Sequence, residues 1–176
     1  MPRTLHWFKW ESALTWISGM FLLIIVYYMG GLMLESGSEM SELTASLIGM
    51  GVLIFGYGAY HLLWNSPLGT NEIVASIISF ILIIALFVGL DLLFSSRAAM
   101  MHIGAAFGTI MTANVWMTIL PVQRKMIASV ENNEPPNMSL ATKAKRCSKH
   151  NTYMSVPLIL IMISSHFPVT TYGNTH

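Results

Sequence analysis

The chain has 176 residues, 54% of them hydrophobic and only 10% charged, with a net charge of +1. A soluble domain carries about 25% charged residues because its surface faces water, so much of this surface has to face lipid, and so small a net charge gives no electrostatic footing for nucleic acid. The lone Cys147 excludes an internal disulfide, a CxxC metal site and covalently attached haem c.

The N-terminal stretch Leu5-His-Trp-Phe-Lys-Trp-Glu11 lacks the short apolar core and cleavage site of a signal peptide, so the first apolar run is expected to be a retained helix. Crossing a hydrocarbon core of ~30 Å takes roughly 20 apolar residues as a helix. Four runs qualify clearly: residues 12–34, 43–64, 72–94 and 98–120, the last stopped by Pro121. A fifth, 151–167, is shorter and lies between Pro157 in its first turns and Pro168 at its end. No run shows the period-two alternation of a membrane strand. The reading is an all-α integral membrane bundle of about five transmembrane helices in one domain spanning residues 1–176.

The connections carry capping and turn residues. Serines between Glu35 and Glu42 can cap the second helix, and Asn71 is placed to cap the third. Ser95-Ser96 joins the third helix to the fourth, with Asp91 and Arg97 beside it as a candidate ion pair. Residues 122–149 form the one long loop, polar and partly helical around Leu140 to Arg146. That loop holds six of the nine Lys and Arg residues, and Arg3 and Lys9 precede the first helix. Basic residues in short loops mark the cytoplasmic side. With five crossings both regions share that side, which puts the N-terminus in the cytoplasm and the tail Val169 to His176 outside.

Ionisable groups at membrane depth are costly, and imidazole is the usual axial ligand of haem b. His102 and His166, at similar depth near the outer ends of the fourth and fifth helices, are candidate haem ligands that could face one another across the iron. His150, at the cytoplasmic start of the fifth helix, is a weaker candidate. The competing reading is that each histidine bonds water, headgroups or backbone carbonyls. Gly104 and Gly108 form a small-xxx-small pattern for helix packing, and Asn114 requires a partner inside the bundle. Trp7, Phe8, Trp10 and Trp16 read as interfacial anchors. Nothing among the fourteen methionines suggests a copper site, and no phosphate-binding loop, nucleophile elbow or HExxH occurs.

Four stretches together resemble the membrane-embedded N-terminal domain of the bacterial membrane-bound urate oxidase family. These are Trp7-Phe-Lys-Trp-Glu11; Ser66-Pro-Leu-Gly69; Arg97-Ala-Ala-Met-Met-His-Ile-Gly104 through Asn114 to Pro121-Val-Gln-Arg-Lys125; and Ala144-Lys-Arg-Cys-Ser-Lys-His-Asn-Thr-Tyr153 through Ser164-Ser-His-Phe-Pro168. The resemblance implies a membrane domain that feeds electrons to a cytochrome c domain at its C-terminus, with His102, His150 and His166 inside matching motifs. It also implies helices on both flanks, and a CxxCH domain, that this sequence does not contain. Two functions follow as expectations. One is a subunit of a larger redox complex in the bacterial inner membrane that binds haem b and passes electrons to a cytochrome c-type acceptor. The other is an accessory subunit that packs against other membrane subunits with no cofactor of its own. Catalysis by this chain alone is not expected.

Overall fold

A computed structural model describes residues 3–164 and 166–167. Pro168 and the tail from Val169 to His176 lie outside the described residues. Among those described there are five continuous helices and no strand. Helix α1 runs Arg3–Leu23 and continues as a π-helical turn, Ile24–Tyr28. Helix α2 is Glu42–Asn65, followed by a 3₁₀ turn at Pro67–Thr70, and α3 is Glu72–Asp91. Helix α4 is the 36-residue Ser96–Glu131, and α5 is Met138–Ser164. Helices α1 to α4 are each long and apolar enough to cross a membrane.

Side chains fix the starts. Ser41 accepts from the Thr44 N–H, Asn71 from the Ile73 and Val74 N–H groups, and Ser95 from the Ala98 N–H. Asn137 does the same for Ser139 and Leu140 at the start of α5. Each supplies an acceptor to amides that have no partner within the helix.

Three boundaries differ from the sequence reading. Helix α1 begins nearer the N-terminus and ends before Gly30-Gly31, because Gly31 takes a left-handed φ of 69° and a Cβ at Gly30 would lie against the Val26 carbonyl. Pro121 does not stop α4. The residues before it, Asn114–Ile119, widen into a π-helical segment in which the Leu120 N–H reaches back to Val115 O. That register change accommodates a residue with no N–H of its own, and the helix continues to Glu131. Helix α5 starts at Met138, so only the short connection 132–137 remains of the expected long loop. Its first turns are polar and its apolar half follows from Asn151 onward.

Helix α4 is the centre of the bundle: half of its most apolar window is buried, against 11–17% for α1 to α3. Small residues allow this. Ala98, Ala99, Gly104 and Ala106 are all buried on its inner faces. The ends of the bundle are also defined by contacts. At one end Ser95 donates from its N–H to Met33 O and from its hydroxyl to Leu32 O, joining the α1–α2 and α3–α4 connections. At the other, Arg146 donates to Trp64 O and Gly69 O, and Lys149 pairs with Glu72. Lys9 lies over the Trp10 and Trp116 rings.

Of the two glycines expected to mediate packing, one does. A Cβ on Gly104 would come within 2.9 Å of Ile161 Cγ2, so the absent side chain is what seats α5 against α4. Nothing lies within 4 Å of a Cβ on Gly108. Gly104→Leu should therefore destabilise the protein by about 1–3 kcal/mol in detergent unfolding, with partial rescue by Ile161→Ala. Gly108→Ala should be neutral or stabilising by up to about 1 kcal/mol.

Candidate functional site

Two polar clusters lie inside the bundle, one towards each end. The first surrounds His102, which is fully buried. Its Nδ1 lies 2.8 Å from Ala98 O, one turn earlier in α4. A carbonyl only accepts, so Nδ1 carries the proton and Nε2 is left as an acceptor. The Tyr28 hydroxyl from the π-helical turn of α1, 3.0 Å away, donates to it. The Tyr28 ring stacks on the imidazole at 5.7 Å, and Phe94 lies at 5.4 Å. Helix α2 closes the remaining side, where a methyl group on Gly49 would fall 2.6 Å from His102 Nε2 and 2.9 Å from the Tyr28 hydroxyl. Glycine is required there by close approach.

The second cluster joins α2, α4 and α5. Asn114, the first residue of the π-helical segment, is buried and donates from Nδ2 to the Tyr60 hydroxyl at 3.0 Å and to Asn151 Oδ1 at 2.9 Å. Both amide protons are thereby used. Asn151 donates in turn to Met111 O at 3.0 Å. The Tyr60 hydroxyl, having accepted from Asn114, also shares a hydrogen bond with His150 Nδ1 at 2.8 Å. The His150 ring packs on Trp64 at 4.0 Å, and the Trp64 indole N–H donates to Ser79. Helix α1 is tied in separately, by Trp16 donating to Thr109 and Trp116 donating to Ser12.

The two expected axial ligands stand in different surroundings. His102 is hydrogen-bonded through both ring nitrogens, and α2 approaches it closely at Gly49. His166 is exposed just past the end of α5, and the polar and ring contacts of His102 are with Tyr28, Phe94 and Ala98. His150 has Nδ1 engaged by the Tyr60 hydroxyl and its ring packed on Trp64. Among the described residues no group of three or more His, Cys, Asp or Glu side chains is placed to hold a metal ion.

Other expectations sort simply. Asn114 does find partners within the bundle. Asp91 and Arg97 do not pair: among the described residues the ion pair is Lys149–Glu72 at 2.6 Å, both side chains largely exposed. That carboxylate holds the Lys149 ammonium above the ordinary lysine range. Tyr28, Gly49, Tyr60 and Asn151 were not singled out from sequence. Only Tyr60 left a signal, since Tyr57, Tyr60, His61 and Trp64 recur at helical spacing on α2.

Tyr28→Phe leaves the buried Nε2 without a donor and should cost about 1 kcal/mol in reversible unfolding. Gly49→Ala should cost more, about 1–3 kcal/mol, because the backbone of α2 has to withdraw. Unchanged stability in both variants would mean that Tyr28 and His102 are not in contact.

Comparison with known proteins returns one finding. No curated protein and no solved structure matches the chain. The family described as urate oxidase N-terminal matches residues 1–176, the entire sequence. The chain therefore belongs to the urate oxidase N-terminal family.

Proposed function

We propose that the chain is a multi-pass subunit of a urate-oxidase-type redox assembly in the bacterial inner membrane. In this reading it contributes a hydrogen-bonded helical scaffold rather than an axial ligand to haem. The observation that carries it is the commitment of the buried polar groups to one another. Tyr28, His102, Tyr60, Asn114, His150 and Asn151 lock helices together through hydrogen bonds to one another and to backbone carbonyls. The family description ties such helices to urate oxidation, and the chemistry then belongs to partner polypeptides, with a cytochrome c-type acceptor on the outer side.

The surface supports lipid contact over wide areas. Ile54, Phe55 and Leu62 on α2, and Ile73, Ile77 and Ile81 on α3, are all exposed. The charge distribution supports the orientation: Lys9, Arg146 and Lys149 collect at one end with the α2–α3 turn, and Glu35, Glu39 and Glu42 lie in the connection at the other. In this reading α5 enters the bilayer through its apolar half, 151–164, beside the four helices α1 to α4 that are long and apolar enough to cross.

Two experiments test this. The tagged chain, extracted from its native membrane in mild detergent, should co-migrate with other membrane polypeptides, and the visible spectrum of that complex should keep its haem content per complex in His102→Gln. A b-type spectrum from the isolated chain, abolished by His102→Gln, would overturn the scaffold reading. For orientation, Asn133→Cys should react with an impermeant maleimide only from the cytoplasmic side and Ser38→Cys only from outside. The reverse pattern would invert the topology.

A further inference from the structure

Two neighbouring cavities share α3 and α5 as walls, and they differ in charge. The first, of ≈ 670 Å³, lies between the α2–α3 turn and the start of α5 and is basic: Lys143, Lys145, Arg146 and Lys149 line it with Thr70 and a single carboxylate, Glu72. The second, of ≈ 350 Å³, is apolar and is lined among others by Phe80, Ile83, Leu86, Phe107, Met154 and Pro157. They adjoin by one helical turn on each helix. Glu72 in the basic cavity is followed four residues later by Ser76 in the apolar one, and Lys149 is likewise followed by Tyr153.

We infer that this gap is a binding site for an anionic phospholipid, its phosphate in the basic cavity and an acyl chain in the apolar one. The cations are unequally committed, which is what makes the site selective. Lys149 is neutralised by Glu72 at 2.6 Å. Arg146 is held in place by donating to Trp64 O at 2.9 Å and Gly69 O at 3.3 Å, but neither carbonyl removes its charge. Lys143 and Lys145 have no carboxylate within 4.0 Å among the described residues. Three uncompensated positive charges thus surround a polar cavity at the end of the bundle, at the depth of lipid phosphates. Basic pockets between helices on the cytoplasmic face have the chemistry that recognises phospholipid headgroups. A free phosphate would satisfy the cations alone. The apolar cavity directly behind them is what points to a lipid, since a chain there covers surface that water would otherwise meet. Small side chains on α3, Ser76 and Ser79, keep that space open.

The inference does not depend on the redox reading, only on α3 lying in a bilayer, which it is long and apolar enough to cross. The test uses the purified full-length chain in dodecyl maltoside, titrated with phosphatidylglycerol, phosphatidylcholine or inorganic phosphate, and reads thermal stability and lipid retained by native mass spectrometry. Phosphatidylglycerol should be retained and should raise the melting midpoint, with phosphatidylcholine and inorganic phosphate each doing much less. The double variant Lys143→Gln, Lys145→Gln should lose roughly tenfold or more of the preference for the anionic lipid. Ser76→Trp, with helicity unchanged by circular dichroism, should weaken retention of both lipids by filling the apolar cavity. Equal effects of the two lipids overturn the proposal. So does stabilisation by inorganic phosphate that matches the anionic lipid, which assigns the pocket to a soluble anion. Lipid retention unaltered in both variants places the lipid elsewhere and overturns it too.

Discussion

An amide left without a hydrogen bond in hydrocarbon costs several kcal/mol, and Asn114 stands deep in the most buried helix of this protein. Its two amide protons reach α2 through Tyr60 and α5 through Asn151, so one side chain fixes three helices relative to one another. The same residue opens the π-helical segment that accommodates Pro121. A wider turn leaves backbone groups in altered register, and Asn151 meets one of the carbonyls just before it, Met111 O. The kink-prone proline, the π-helical segment and the polar hub are therefore one feature. Close packing elsewhere serves it: Gly104 lets α5 approach α4 near Ile161, and Gly49 lets α2 approach near His102.

The functional consequence lies in what these bonds use up. Histidines and tyrosines inside a membrane protein invite a catalytic or cofactor role, because their presence there is costly. In this bundle the cost is met by internal pairs, Tyr28 with His102 at one end and Tyr60 with His150 at the other. Each imidazole shares a hydrogen bond with one tyrosine hydroxyl, and the Ala98 carbonyl fixes the tautomer of His102. That arrangement joins helices that are far apart in the chain. It is what the proposed scaffold role requires, and the proposed lipid site at the basic end of α5 would add a contact outside the bundle.

The apolar runs, the all-helical class and the capping role of Asn71 were legible in the sequence, because each depends on local composition or on residues within one turn. The need for a partner at Asn114 was legible too, since burial of an amide demands one wherever the chain goes. The identity of those partners was not. Tyr28 and His102 are 74 residues apart, and Tyr60 and His150 are 90 apart, so only the packed bundle brings them together. Pro121 misled for a related reason: a proline ends a helix only when the surrounding backbone cannot change register, and six residues of π-helix do so here. The pattern Gly104-xxx-Gly108 gave the correct helix and one wrong glycine, because spacing alone does not say which face a neighbour uses. His102 stood out correctly as an inward residue, but sequence could not choose between a ligand and a satisfied core histidine. The proximity of Gly49 and Tyr28 supports the satisfied core histidine.

The most direct test of the central claim is a double-mutant cycle on Asn114→Ala and Asn151→Ala, followed by reversible unfolding in detergent. If the amide pair holds α4 to α5 as described, the two substitutions should be non-additive, with a coupling of roughly 0.5–2 kcal/mol. Additivity within about 0.3 kcal/mol would show that the two side chains do not act on one another, and the hub would have to be abandoned.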